Sequence, residues 1–295
     1  MAGASGFVGQ RLCVALDRAD HNVVAMTRDP AGYRGTGTPV RGDVQEAATL
    51  EPAMVGCQAA YYLVHSLQDP DFEHQDATGA TAFGEAAARA GLRRIVYLSG
   101  LGNDADDLSA HLRSRREVES LLGVGGVPVT VIRAGIIVGH GGTSWELTRQ
   151  LVEHLPVMIT PQWVATRTQP IAVDDVVTYL VGVLERPEAS GRVFEVGGPD
   201  VVEYSTMLRR VAAIENRPLL VLPVPLLTPW LSSLWLTLVT DIDTGTGRAL
   251  VDSMINEVIV RDQSIRDLIP IRPRSYDDAV RAALRERREG RQARS

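Results

Sequence analysis

A parallel sheet wound with helices on both faces, an α/β fold, is what this sequence predicts, and three observations carry that reading. Short apolar runs at 22–27, 61–66, 94–99 and 128–132 alternate along the first half with amphipathic stretches of helical spacing. Such alternation is the mark of right-handed βαβ units with strands buried on both faces. The runs turn polar at their C-terminal ends, where an open sheet of this kind binds its ligands. The chain also opens on Gly3-Ala4-Ser5-Gly6-Phe7-Val8-Gly9, three glycines spaced for a turn that feeds a helix.

The helix after that turn is read from Val8, Leu12 and Leu16, which recur every four residues. A glycine turn lets backbone N–H groups approach a pyrophosphate, and the helix dipole favours negative charge there. Gly3, Ala4, Ser5, Gly6, Phe7 and Val8 are therefore candidates for holding a dinucleotide. Only Met1 and Ala2 precede Gly3, too few for the buried strand that leads into such a turn. The first strand reads as truncated, and the natural start is expected upstream of Met1.

Residues 22–27 form the next strand, ending in Arg28-Asp29-Pro30. At this strand end an acid accepts from a ribose 2′-hydroxyl, whereas an arginine suits a 2′-phosphate. Arg28 thus predicts NADP(H) as the preferred cofactor, with NAD(H) as the alternative; Asp29 could instead pair with Arg28. A strand at 39–44 exits through Asp43-Val44, where Asp43 either accepts from an adenine amino group or caps the helix at 46–55. The apolar run 61–66 places Leu63, Val64 and His65 beside the cofactor. An alanine-rich helix at 76–90 buries Ala80, Phe83 and Ala87 and stops at Gly91. The strand 94–99 exits at Ser99, an acidic loop spans 101–108, and a helix at 109–122 carries His111, Arg115, Arg116 and Glu119. The strand at 128–132 leads into Arg133-Ala134-Gly135.

These elements assign 1–142 to a dinucleotide-binding domain of Rossmann type. Residues 143–295 form a smaller, mixed substrate-side lobe, with 170–198 returning to the first sheet. Thr143 and Glu146 read as a capping box for a helix running to 155. Further helices are expected at 174–185, 205–214 and 276–287, a strand at 191–196, and a frayed charged end from 288. The most apolar run, 221–239, is broken by prolines, and Thr228-Pro229 suits a helix start. A helix over 229–239 spans about 16 Å, too short for a bilayer. It reads as core or a dimer face, as a lid over a lipophilic substrate, or as a membrane-surface foot built on Trp230 and Trp235.

Composition narrows the function. The chain has 295 residues, 45% apolar, with a net charge of −6, which argues against a general nucleic-acid binder. Two cysteines, Cys13 and Cys57, make no disulfide framework and fit a reducing cytoplasm. The glycine motif stands where a signal peptide would. There is no lysine, so all 30 basic residues are arginines, and lysine Schiff-base or proton-relay chemistry is excluded. No metal site is assigned.

The glycine heptad, Gly42-Asp43-Val44, 95–100 and Arg133-Ala134-Gly135 together resemble the extended and atypical short-chain dehydrogenase/reductase superfamily. The runs 109–119, 61–66 and 155–161 look like its NmrA-like, complex-I-subunit-like NAD(P)H-binding branch. The resemblance covers the chain from Gly3 to about Arg272. It implies an oxidoreductase acting with NAD(P)H on an apolar or quinone-like small molecule, or a non-catalytic NAD(P) sensor or scaffold. Active members carry a Tyr-x-x-x-Lys pair on the helix after the fifth strand, and here His111 and Arg115 stand at those positions. Ser99 stands where the carbonyl-orienting serine does. The resemblance therefore implies either a substituted catalytic site of Ser99, His111 and Arg115, in which a histidine replaces the proton donor, or a structural helix face at His111 with no chemistry.

Overall fold

A computed structural model describes residues 1–67, 69–160, 162–223 and 252–292. The first half alternates strand and helix as expected: α1 (Phe7–Arg18), β1 (Val24–Thr27), β2 (Thr38–Arg41), α2 (Leu50–Met54), β3 (Ala59–Tyr62), α3 (Phe72–Arg89), β4 (Arg94–Gly100), α4 (Ala110–Leu121) and β5 (Val129–Ala134). β3, β4 and β5 pair in parallel, with Tyr62 opposite Tyr97 and Tyr97 opposite Val131. β1 and β2 pair in parallel beside them. Ala2 stands between the two sets, bridging Met26 of β1 and Tyr62 of β3. The sheet thus reads β2-β1-Ala2-β3-β4-β5-β10, where β10 is Val193–Val196. It is a doubly wound parallel sheet whose strand order reverses beside Ala2, the place where such folds bind dinucleotides.

Side chains alternate across the sheet as a period of two requires. Ile95 and Tyr97 point to one face and pack with Phe83, Ala87 and Val118 of α3 and α4. Val96 points to the other and packs with Leu12 and Leu16 of α1. α6 (Val173–Glu185) covers the same face through Val176, Leu180 and Val183. α3 ends as its glycine predicts: Gly91 has φ +74°, and Gly91 and Leu92 donate to the carbonyls of Ala88 and Ala87.

Beyond β5 come β6 (Ile137–Val138), α5 (Thr143–His154), β7 (Val157–Thr160), β8 (Arg167–Thr168) and β9 (Ile171–Ala172). After α6 and β10 follow β11 (Val202–Glu203), α7 (Tyr204–Ile214), β12 (Leu220–Pro223), α8 (Ser264–Leu268) and α9 (Tyr276–Gln292). α5, α7 and α9 build a second core around Trp145, Val211, Tyr276 and Val280. Residues 171–196 lie on the first core, where they supply α6 and β10.

Two local expectations fail for physical reasons. Thr143 does not cap α5; Gly142 is the N-cap, and Glu146 instead takes the Gly141 N–H and pairs with Arg149 and His140. The C-terminal segment is helical through Gln292 rather than frayed from 288, because Arg287 is tied to Glu153 and Glu286 to Arg11. Among the described residues, no helix is long and apolar enough to cross a membrane. The proposed lid or membrane foot at Trp230 and Trp235 lies outside the described residues.

Candidate cofactor and substrate cleft

The glycine turn has the shape that the sequence asks for, and two of its glycines are sterically required. Gly3 has φ +83°, and a Cβ there would lie 2.9 Å from the Leu63 carbonyl oxygen. A Cβ on Gly9 would lie 2.0 Å from the Gly3 carbonyl oxygen, so α1 can sit against the turn only without one. Gly6 is the N-cap of α1 and has no side chain to satisfy the first turn. Its N–H donates to Gly3 (3.0 Å), which closes the turn and leaves the N–H groups of the helix start for an anion. Ala4 lines neither cavity of the cleft; its methyl is fully buried against Cys13 and Ala25 behind the turn.

In front of the turn opens a cavity of about 720 Å³. Gly3, Ser5 and Gly6 form its floor, Arg28 its β1 edge, Asp43 and Val44 its β2 edge, and Leu63, Val64 and His65 its β3 edge. Arg28 is exposed and makes no ion pair among the described residues. Asp29 does not hold it, because its Oδ1 accepts from the Gly32 N–H at 3.0 Å. Asp43 shapes its own loop: Oδ1 accepts from the Gln45 N–H (3.0 Å), and its N–H donates to Thr49 Oγ1 (2.9 Å).

A second cavity of about 250 Å³ continues past the turn and shares Gly3, Gly6, Leu63 and His65 with the first. Leu67, Leu98, Ile137, Phe7 and Val8 make its walls largely apolar. Ser99, His111 and Arg115 all line it. Their roles differ, however, because the surrounding charges have already engaged some of them.

Arg115 leans into a polar pocket beneath the cavity. Its Nη1 donates to the buried Tyr97 hydroxyl at 3.3 Å. Burial works against the cation, but Tyr97, Asp76 and Tyr62 outweigh it and hold the guanidinium above its ordinary pKa. Asp76, 5% exposed, accepts from the Ser66 N–H at 2.8 Å, and burial pushes its carboxyl up. Sequence reasoning missed Asp76, Tyr97 and Tyr62. A signal for Asp76 was present: it stands one helical turn before Ala80 on the apolar stripe of α3, where an acid has no solvent.

His111 sits one turn before Arg115 on α4. Burial, then the Arg115 cation and then His65, push its pKa down to about 3. His65, more open in the cleft mouth, moves in the same direction through burial and Arg115. Both imidazoles are therefore neutral near pH 7. The sequence expectation of a histidine titrating near neutrality is corrected by burial first and by the Arg115 charge beside it second.

Ser99 gives its hydroxyl hydrogen to Glu119 Oε1 at 2.7 Å. Arg133 binds the same carboxylate through two nitrogens (3.0 and 2.6 Å), and Arg116 joins at 3.1 Å. Arg116 and Arg133 also reach Asp104, which ties the acidic loop to the sheet end. The start of α4 is pinned as well. Ser109 caps it by accepting from the Leu112 N–H, and Asn256 accepts from the Ser109 N–H and donates to the Asp107 carbonyl.

A family profile described as NAD(P)H-binding matches residues 3–187, more than half of the chain. The chain belongs to the NAD(P)H-binding family. Among its relatives is (4-alkanoyl-5-oxo-2,5-dihydrofuran-3-yl)methyl phosphate reductase of Streptomyces griseus, 27% identical over 229 residues and 74% of each chain. Another is NADH dehydrogenase [ubiquinone] 1 alpha subcomplex subunit 9, mitochondrial, of Dictyostelium discoideum, 25% identical over 70% of this chain and 60% of that one. Among solved structures, the NADPH-dependent quinone oxidoreductase QOR2 of Escherichia coli, complexed with NADPH, superposes with a TM-score of 0.77. That match covers 95% of this chain and 97% of the other at 19% identity, so it speaks to the fold. The atypical short-chain dehydrogenase/reductase reading holds: this is an NAD(P)H-binding, reductase-like protein of the Rossmann type.

Proposed function

We propose that this member of the NAD(P)H-binding family is an NADPH-dependent reductase of an apolar carbonyl or quinone-like small molecule. One observation carries the reading: a dinucleotide-sized cavity, with an arginine at its β1 edge that makes no ion pair among the described residues, adjoins a smaller, largely apolar cavity lined by a buried cation and a neutral imidazole. The uncapped start of α1 fits a pyrophosphate, and Arg28 fits a 2′-phosphate. Phe7 and Val8, with His65, would flank the nicotinamide half.

Bound NADPH supplies hydride, and the residues supply the rest. As hydride adds to an electrophilic carbon, negative charge develops on the substrate oxygen. The Arg115 guanidinium stabilises that charge, and its fixed position costs no reorganisation at the moment of reaction. His111, being neutral, donates an N–H hydrogen bond to the same oxygen rather than a proton. The proton then comes from water entering by the cleft mouth. The apolar walls select a substrate without charge of its own. The cytoplasm is the compartment where the NADPH pool and two free thiols are both at home.

The test pairs wild type with Arg28→Ala, titrating NADPH and NADH by fluorescence and following NADPH oxidation at 340 nm with a panel of quinones and aldehydes. Wild type should oxidise NADPH with at least one member. Arg28→Ala should bind NADPH about 10-fold to 100-fold more weakly while NADH affinity changes by about 2-fold or less. Equal losses for both cofactors would refute the role of Arg28. Tight NADPH binding with no oxidation across the panel would make the protein a nucleotide sensor instead.

A further inference from the structure

Ser99 lines the smaller cavity, yet its hydrogen is committed elsewhere. The hydroxyl donates to Glu119 Oε1 at 2.7 Å, and the direction of that bond is forced. Arg133 Nε and Arg116 Nη1 give hydrogens to the same oxygen, and Arg133 Nη2 gives one to Oε2. The side chains of Glu119, Arg133 and Arg116 are 10%, 11% and 15% exposed, so little water competes for them. A carboxylate paired in this way offers only acceptors, and a hydroxyl beside it donates. Turning the Ser99 hydrogen toward the cavity would break a charge-assisted bond at a site of low dielectric.

What Ser99 shows the cavity is therefore oxygen lone pairs. Tyr97 stands two residues earlier on β4, on the same face of the sheet. Its hydroxyl accepts from Arg115 Nη1 at 3.3 Å and is hydrogen-bonded to Ser99 as well, so its own hydrogen takes one lone pair of Oγ. A hydroxyl oxygen has two. The second is left for a molecule in the cavity. From α4, Arg115 and His111 present N–H groups to the same space. The cavity thus has polar groups of opposite kind, donors on α4 and an acceptor on β4, between the apolar walls of Leu67, Leu98 and Ile137.

Taking the reductase reading as its basis, we propose that Ser99 sets substrate specificity as a hydrogen-bond acceptor, so that the preferred substrate is an uncharged, largely apolar carbonyl compound carrying a hydroxyl or N–H donor near the carbonyl that is reduced. A second carbonyl or an ether oxygen at this place faces Ser99 Oγ lone pair to lone pair. A methyl group there leaves the acceptor dry and unpaired. Ser99 differs in this from a serine that donates to the reacting carbonyl, because Glu119 holds the hydrogen that such a serine would use.

Binding of matched benzaldehydes tests this without turnover. The 3- and 4-substituted hydroxy, methyl and methoxy compounds are titrated by calorimetry at pH 6 into wild type and Ser99→Ala, each with and without NADP⁺. At one ring position or the other, wild type should bind the hydroxy compound about 10-fold to 100-fold more tightly than its methyl and methoxy partners. In Ser99→Ala, the three affinities should fall within about 3-fold of one another. Equal affinities in wild type, a preference for the methoxy compound, or no measurable binding of any of them would overturn the proposal. So would a hydroxy preference that survives in Ser99→Ala. The predicted preference in a protein that never oxidises NADPH would leave Ser99 as the acceptor and sink the reductase reading alone.

Discussion

Replacing Gly9 with alanine will abolish measurable NADPH binding and lower the melting temperature. The new Cβ would stand 2.0 Å from the Gly3 carbonyl oxygen and 3.0 Å from Ala4 Cα, and neither backbone atom can rotate away. Either α1 shifts off the turn or the turn opens, and both movements carry the helix-start N–H groups away from the pyrophosphate. Overpacking of this kind costs about 1–3 kcal/mol, or a few degrees of melting temperature for a chain of this size. Gly6→Ala is the informative companion. Its Cβ meets only the Gly3 oxygen, at 3.3 Å, so the fold accommodates it while the methyl occupies the floor of the cleft. Gly6→Ala should keep the wild-type melting temperature and weaken NADPH at least about 10-fold. A Gly9→Ala protein that binds NADPH normally would show that the turn does not hold the cofactor.

Arg115→Leu will cut kcat/KM for NADPH-dependent reduction by about 100-fold to 1000-fold, the range for losing a preorganised stabiliser of developing oxygen charge. NADPH affinity should change far less, because the dinucleotide cavity does not include this side chain. The substitution also removes the cation that depresses His111 and supports a charged Asp76. Two consequences follow. The His111 pKa rises while burial still holds it below the ordinary histidine range, and the variant loses stability as pH rises through the raised pKa of Asp76, which must then ionise with hydrogen bonds but no cation beside it. Arg115→Lys restores the charge but not the planar fork on Tyr97, so partial recovery of rate is expected. A full rate in Arg115→Leu, measured by stopped-flow absorbance, would remove Arg115 from the chemistry.

Much of the fold was readable because local signals agreed with one another. Apolar runs of strand length, the glycine cap at Gly91 and the amphipathic helix after the acidic loop each reappear where they were expected. The cleft was readable for the same reason: in a parallel sheet, strand ends converge on one edge, so Arg28, Asp43 and His65 meet although they are far apart in sequence. What could not be read depends on contacts between distant side chains. Ser99 stands where a carbonyl-orienting serine would, yet Glu119, held by Arg116 and Arg133, takes its hydrogen. His111 could stand in for a proton donor until burial and then Arg115 displaced its titration. Thr143 and Glu146 matched a capping box, yet the carboxylate had better partners in Arg149 and the Gly141 N–H. The place of Met1 and Ala2 between β1 and β3 follows from pairing across the sheet, which no local pattern encodes.

The central claim is that this cleft reduces its substrate through a fixed cation and a neutral imidazole, without a residue that titrates near neutrality. The direct measurement is the single-turnover rate of NADPH oxidation by the wild-type enzyme, with NADPH and its 4-deuterated form, from pH 5.5 to 8.5. The account predicts a rate that varies by about 2-fold or less across that range and slows on deuteration throughout, since His111 titrates near 3 and Arg115 stays charged. A limb with an apparent pKa near 6.5, removed by His111→Gln, would contradict it by making His111 a proton donor after all.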